Sequence, residues 1–207
     1  MSKIEDAVVF FRNNIDNVFN LIHVYELHTQ TNVEHNADDI LRAAIAMGIS
    51  ALDSFFHEFM VGAIVDIYAN NSIKNYSNNL LKPSDNPHKL LSILSKSKQE
   101  QLKEIEQALY SNLKTKTFQN PEIIAENMKL IGIEQLWSDV QVNITEQYSV
   151  QDLKSRLELI VDRRHKIVHE ADMNRSTGTK NEIELEEVRN DIIFIKEIGE
   201  AVFMILQ

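Results

Sequence analysis

The stretch "AAIAMGISALDSFFHEF", residues 43 to 59, decides the fold class, because it is apolar on nearly every side of a helix. A helix at a protein surface has one apolar stripe, whereas a helix that is apolar all round packs against neighbours on more than one side. The apolar pattern extends this helix from about Asp38 to Ala69. We therefore predict that this segment is the central helix of an all-α protein.

Three ionisable residues interrupt the apolar stretch 43–59, namely Asp53, His57 and Glu58. A buried charge without a partner is costly, so such residues need partners from other helices. His57 and Glu58 fall on a flank of the helix, where a solvated or interprotomer role is as plausible as a role in a site. Asp53 is expected to meet a cation.

The composition of the chain favours helices throughout. Its 207 residues include 5 glycines and 3 prolines, so few residues break helices, and 43% of the residues are hydrophobic. This length suits one domain with a sizeable core. The chain has no cysteine, which excludes disulfides, thiolate zinc sites and cysteine nucleophiles and suits a reducing compartment. We expect a cytoplasmic protein.

Charge and the N-terminal sequence restrict the function further. The formal net charge of -10 argues against a protein that holds nucleic acid by bulk attraction. The densest positive cluster is "DRRHK", residues 162 to 166, and any anion site is expected there. The N-terminus "MSKIEDAVVFFRNN" carries charges on both sides of a short apolar run, so neither export nor membrane insertion is expected.

Apolar residues three and four positions apart predict further amphipathic helices on both sides of the centre. These helices are expected at about 4–28, 87–95, 98–115, 121–130, 134–142, 150–170 and 182–206. The segment from Asn70 to Lys98 is rich in Asn, Ser, Lys and Pro, which predicts an exposed connection. We interpret residues of about 71–145 as an insertion or side layer within a single domain, 1–207.

The helix at 150–170 ends in the stretch "LIVDRRHKIVHEAD", residues 159 to 172, which places Arg164 on an apolar stripe. The apolar members of that stripe are Leu153, Leu157, Ile160, Ile167 and Val168. An arginine there is costly unless a carboxylate such as Asp53 or Glu58 meets it. His165 and His169 share a face, while Arg164 and His169 lie about 140° apart. Either the helix ends before His169, or the two residues meet across a two-fold axis with a second copy.

The segment R-H-K-I-V-H, Arg164 to His169, is similar to the R-x(4-6)-H motif of the HEPN superfamily of helical domains. The stretch 43–59 likewise resembles the long central helix of the RiboL-PSP-HEPN type, a branch often linked to bacterial conflict systems. This resemblance implies an HEPN-like helical bundle with long central helices. It also implies a metal-independent endoribonuclease that forms a homodimer with a composite active site and acts in antiphage defence or with an antitoxin.

The chemistry of RNA cleavage gives roles to the residues of the motif. Cleavage without a metal needs a base for the 2′-hydroxyl proton, an acid for the leaving 5′ oxygen and a cation for the phosphate. Histidine can move either proton, and the guanidinium of arginine fits a phosphate. We therefore assign proton transfer to His169 and phosphate binding to Arg164. The neighbouring assignments are His165 and Asp53 as supporting residues, and Arg163 and Lys166 as RNA-binding residues.

Other interpretations of these residues stay open. Arg164 can form a structural ion pair with the central helix, and His169 can interact with the helix dipole. His165 and His169 have the spacing of metal ligands, but no third ligand is identifiable, so no metal or cofactor is predicted. For the whole protein the alternatives are a non-catalytic HEPN-like nucleotide- or RNA-binding or adaptor module in a defence complex, and a purely structural dimerisation protein.

Overall fold

The computed structural model describes residues 2–30, 37–69 and 95–206. Within these ranges the chain forms seven α-helices, one short 3-10 helix and no β-strand, which confirms the all-α prediction. The helices are α1 (Lys3–Gln30), α2 (Asp38–Ala69), α3 (Lys98–Leu113), α4 (Pro121–Met128), the 3-10 helix (Lys129–Ile131), α5 (Leu136–Asn143), α6 (Val150–Glu170) and α7 (Leu185–Ile205). The short helix expected at 87–95 lies almost wholly outside the described residues.

Helices α1 and α2 pack against each other along their length as an antiparallel pair. At one end the hydroxyl of Tyr25 donates to a carboxylate oxygen of Asp38 at 3.4 Å. At the other end Gly62 lies against the start of α1, where a Cβ atom would come within 3.0 Å of the backbone nitrogen of Ile4. The glycine therefore allows the two backbones to approach closely.

The central helix α2 contacts α1, α3, α6 and α7, as its apolar pattern predicted. Phe55, Phe56 and Phe59 are fully buried, and their rings form one aromatic cluster with Phe11 of α1 and Phe118 of the loop after α3. Of the helices within the described ranges, α2 alone is long and apolar enough to cross a membrane. The neighbouring helices bury 56% of its most apolar window, as they do for the core helix of a soluble domain.

Helix α6 has a side-chain cap at its N-terminus and a left-handed residue at its C-terminus. The Ser149 hydroxyl accepts a hydrogen bond from the backbone N–H of Asp152 at 3.1 Å, which confirms the predicted cap at its start. The helix continues to Glu170 and ends where Ala171 adopts a left-handed conformation. Its side chains Leu153, Leu157 and Ile160 are buried as predicted, but Val168 is 48% exposed, because its side chain lies at the outer edge of the apolar stripe.

Helix α7 packs against both α1 and α2, and α6 packs against α2 and α5. Helices α3 to α5 lie beside this arrangement, α3 against α2 and α5 against α6 and α7. Buried side chains of these shorter helices, among them Leu109, Ile124 and Val140, belong to the same hydrophobic core as α2. The packing of α6 and α3 against α2 positions the residues considered below.

Substituting Gly199 with alanine is expected to destabilise the protein. A Cβ at this position in α7 would lie 2.2 Å from the ring of Phe11, which is itself fully buried. Alanine usually stabilises a helix by about 1 kcal/mol relative to glycine, whereas overpacking here is expected to cost about 1 to 3 kcal/mol. Urea unfolding of Gly199→Ala would measure the sign, and a more stable variant would contradict the packing described.

Candidate functional site

The turn that follows α6 contains two successive residues in the left-handed region, Ala171 with φ 52° and Asp172 with φ 56°. In the described ranges these are the only non-glycine residues with positive φ. This backbone conformation is unfavourable for residues with a Cβ, so the surrounding structure must hold it in place.

The carboxylate of Asp172 supplies that restraint, because it is completely buried and accepts three side-chain hydrogen bonds. Arg42 Nε and Arg163 Nη2 each donate to Oδ2 at 2.8 Å, and Asn181 Nδ2 donates to Oδ1 at 3.0 Å. Charge-assisted hydrogen bonds of this kind are stronger than neutral ones. We call Arg42, Arg163, Asp172 and Asn181 the Asp172 cluster, and it joins α2, α6 and the loop before α7.

The Asp172 cluster gives Arg163 a structural contact. Its guanidinium also donates to the backbone carbonyl of Glu182 at 2.8 Å, so Arg163 bridges the end of α6 to the following loop. Arg42 does the same from α2, by donating to the carbonyl of Asn181 at 2.6 Å. The expected contact of Arg163 with RNA stays a prediction.

Replacing Asp172 with alanine is expected to lower the free energy of unfolding by about 3 to 5 kcal/mol, because Arg42 would lose the partner of its buried charge. The control is Asp39→Ala, since Asp39 also pairs with Arg42, at 3.2 Å, but its side chain is 65% exposed. Asp39 also pairs with Lys180 at 2.5 Å, and loss of each of these exposed pairs is expected to cost less than about 1 kcal/mol. Thermal and urea unfolding would compare the two variants. Equal losses of unfolding free energy would contradict the larger contribution that we assign to the Asp172 cluster.

Arg164 lies on another face of α6 and lines an open groove of about 510 Å³ between α6, α2 and α3. We call it the Arg164 groove. Its other lining residues are Ser50, Asp53, Ser54, His57, Glu58, Tyr110, Lys114 and Gln119. The Nε atom of Arg164 is buried and has no hydrogen-bond partner. In the described part of the chain no carboxylate lies within ion-pair distance of its guanidinium.

Asp53 lines the same groove but does not form the expected ion pair with Arg164. One of its carboxylate oxygens accepts a hydrogen bond from the backbone N–H of Phe118. The other lies 3.9 Å from Nε2 of His57, one turn further along α2. The loop after α3 presents a buried N–H group that needs an acceptor, and Asp53 satisfies it. The role of Asp53 in supporting Arg164 stays a prediction, without a direct contact.

The second carboxylate of the groove, Glu58, is also occupied. It accepts a hydrogen bond from the hydroxyl of Tyr110. Partial burial, followed by this hydrogen bond, raises the pKa of Tyr110 above its ordinary value, so the hydroxyl remains a donor. Because Asp53 and Glu58 bind other groups, the positive charge of Arg164 has no partner in the groove. Lys114, on the α3 side, adds a second cation to the groove.

His165 and His169 lie on the exposed outer face of α6, with their rings stacked at a centroid distance of 5.3 Å. Neither lines the Arg164 groove, and Lys166 lines a different groove, together with Arg163. Since α6 continues to Glu170, the helix does not end before His169. This removes the first of the two arrangements left open by the sequence, and a meeting of Arg164 and His169 across a two-fold axis stays a prediction.

No group of three or more His, Asp or Glu side chains suitable for a metal ion is found among the residues that the structure describes. The family model of RiboL-PSP-HEPN matches residues 12–206. This chain belongs to that family. Membership confirms the resemblance of the sequence and agrees with the all-α fold. No curated protein and no solved structure gives a significant match to this RiboL-PSP-HEPN chain. The catalytic roles of Arg164 and His169 stay predictions.

Sequence reasoning missed two parts of this RiboL-PSP-HEPN domain. The sequence pattern assigns no role to Asp172, although Arg42, which directly precedes the apolar stretch 43–59, is a signal that α2 needs a carboxylate partner. Lys114 and Tyr110 were missed as well, because nothing in their local pattern indicates that α3 faces the Arg164 groove. Their position depends on the packing of α3 against α2.

Proposed function

We propose that this RiboL-PSP-HEPN protein is a metal-independent endoribonuclease. The 2′-oxygen of RNA attacks the adjacent phosphorus, and the bond to the 5′ oxygen breaks. Arg164 binds the phosphate and stabilises the charge that develops on it, while His169 transfers a proton. The products are a 2′,3′-cyclic phosphate and a 5′-hydroxyl end.

The observation that carries this proposal is the unpaired state of Arg164. Its guanidinium lines an open groove, its Nε is buried without a hydrogen-bond partner, and both nearby carboxylates bind other groups. Nε of the neighbouring Arg163 is also buried without a partner, but Nη2 of Arg163 is bound to Asp172, so the two arginines differ in having or lacking a carboxylate partner. A guanidinium without a counter-ion can bind a phosphate through two parallel hydrogen bonds, which is the geometry that arginine provides best.

The proposed active site is shared by two copies of the chain. Arg164 and His169 project from one rigid helix about 140° apart, so a single protomer does not direct both at one phosphate. Helix α6 also exposes two apolar side chains, Leu159 at 69% and Val168 at 48% exposure, which are available for contact with a second copy. These features support a homodimer in which His169 of one protomer completes the Arg164 groove of the other.

We place the protein in the cytoplasm, in antiphage defence or in a toxin–antitoxin pair, as the HEPN resemblance implies. In either setting the partner is a defence component or an antitoxin that restrains cleavage. His165 lies beside His169 and supports its orientation, and the exposed Lys166 attracts RNA to an otherwise acidic chain. The net charge of -10 favours a selective or partner-delivered RNA over indiscriminate binding.

The parent protein is expected to cleave total RNA or tRNA in excess EDTA and to leave cyclic phosphate ends. Arg164→Ala and His169→Ala are each expected to lower the rate by at least about 10²-fold, because each removes a group that acts in the transition state. The measurement is gel analysis of the fragments with chemical mapping of their ends.

Matched controls for these variants are Arg12→Ala and His23→Ala, two exposed residues of α1 that do not line the groove. Both are expected to cleave like the parent. A 5′-phosphate with a 3′-hydroxyl, or full activity of His169→Ala, would contradict the mechanism. RNA binding without cleavage by a folded dimer would favour the non-catalytic adaptor instead.

A heterodimer of Arg164→Ala with His169→Ala is expected to recover activity that neither homodimer has. One of its two sites combines an intact Arg164 groove with an intact His169, so the rate should approach about half that of the parent. Co-expression with two different tags and sequential purification would isolate the heterodimer. A heterodimer as inactive as its homodimers would place Arg164 and His169 in the same protomer's site and contradict the shared arrangement.

A further inference from the structure

The Arg164 groove contains a histidine of its own, His57 of α2. Its side chain is 20% exposed, so it is held within the fold and still open to the groove. Among the described residues that line this groove, His57 is the only one whose side chain ordinarily titrates near neutral pH. The chain that provides Arg164 therefore also provides, in the same groove, a side chain that can transfer a proton.

Two neighbouring groups lie close to the ring of His57. The ring of Phe118 packs edge-on against it, with a centroid distance of 4.7 Å and an interplanar angle of 85°. Nε2 lies 3.9 Å from Oδ2 of Asp53, which is within ion-pair distance but too far for a hydrogen bond. Packing against Phe118 and partial burial restrict the ring, as a positioned proton donor requires.

The reaction proposed above moves two protons, but His169 accounts for only one. The 2′-hydroxyl must lose a proton as its oxygen bonds to phosphorus, and the 5′ oxygen must gain one as its bond to phosphorus breaks. One of the two proton transfers therefore still needs a residue that carries it out.

We propose that His57 is the general acid of this reaction and protonates the leaving 5′ oxygen. His169 of the partner protomer accepts the proton of the 2′-hydroxyl, and Arg164 holds the phosphate between the two histidines. Atoms and charge balance, since one proton leaves the RNA and another enters it. This inference rests on the proposed function and adds a second catalytic residue to it.

Charged groups face the groove around His57 from the α2, α3 and α6 sides. Asp53 on the same helix places a carboxylate oxygen 3.9 Å from Nε2 of the imidazole. Glu58 is bound to Tyr110, and the cations Lys114 and Arg164 lie on the α3 and α6 sides of the groove. When a phosphate binds Arg164, His57 faces the negatively charged phosphate in place of the unpaired guanidinium.

A substrate with sulfur in place of the bridging 5′ oxygen tests this assignment, because a thiolate leaves without protonation. On ordinary RNA, His57→Ala is expected to cleave about 10²-fold or more slowly than the parent. On the sulfur-bridged RNA the same variant is expected to cleave at nearly the parental rate. His169→Ala should stay slow on both substrates, since removal of the 2′-hydroxyl proton is still required.

A second variant and a control separate catalysis from folding. His57→Gln keeps a planar polar group against Phe118 but cannot donate the proton as an acid, so it should show the same rescue by sulfur. His23→Ala removes an exposed histidine of α1 and should cleave both substrates like the parent. A variant that is merely misfolded would be slow on both substrates, so thermal unfolding must first show that the His57 variants are as folded as the parent. Absence of rescue by sulfur in both folded variants would overturn the proposal.

Heterodimers locate His57 within the shared site. His57→Ala paired with His169→Ala should recover about half of the parental activity, because one site keeps an intact groove and an intact partner histidine. His57→Ala paired with Arg164→Ala should stay inactive, since both changes damage the groove of their own chain. Full activity of His57→Ala homodimers would overturn this inference and leave the proposed function standing. An inactive parent would overturn both.

Discussion

The buried carboxylate of Asp172 is the contact on which the geometry of the site depends. It binds Arg42 from α2, Arg163 from α6 and Asn181 from the following loop, and it lies in a turn with two consecutive left-handed residues. These bonds hold the end of α6 against α2, beyond the part of α6 that apolar packing of Leu157 and Ile160 already fixes. Because α2 provides one wall of the Arg164 groove and α6 provides Arg164 and His169, the same contact sets the positions of both.

Two adjacent arginines of α6 differ in their roles, one in the fold and one in the proposed site. Arg163 and Arg164 project about 100° apart on α6, as neighbours in a helix must. Arg163 binds a fully buried carboxylate, which it shares with Arg42, whereas Arg164 lies in a groove whose carboxylates already bind Phe118 and Tyr110. Arg163 therefore stabilises the fold, whereas the guanidinium of Arg164 can bind a ligand.

The sequence predicted the helices well, because their patterns are local. The apolar stretch 43–59 required neighbours on several sides, and Ser149 marked the start of α6. The ion pairs were beyond such reasoning, because Asp53 and Asp172 are equally eligible partners for an arginine until the chain is folded. The turn at Ala171 and Asp172 also carried no signal, since no glycine marks its positive φ angles. Contacts between residues that are distant in sequence determine both the ion-pair partners and this turn.

A site divided between two chains suits a protein of this charge. At a net charge of -10 the chain gains little from bulk attraction to RNA, so binding depends on a few cations placed close together. In the proposed arrangement each groove supplies Arg164 and Lys114, and the partner's outer α6 face brings its own histidines and Lys166. Two groups that a rigid helix holds about 140° apart act on one phosphate only after dimerisation. Cleavage would then depend on protein concentration, and a partner that covers the outer face of α6 would stop it without entering the groove.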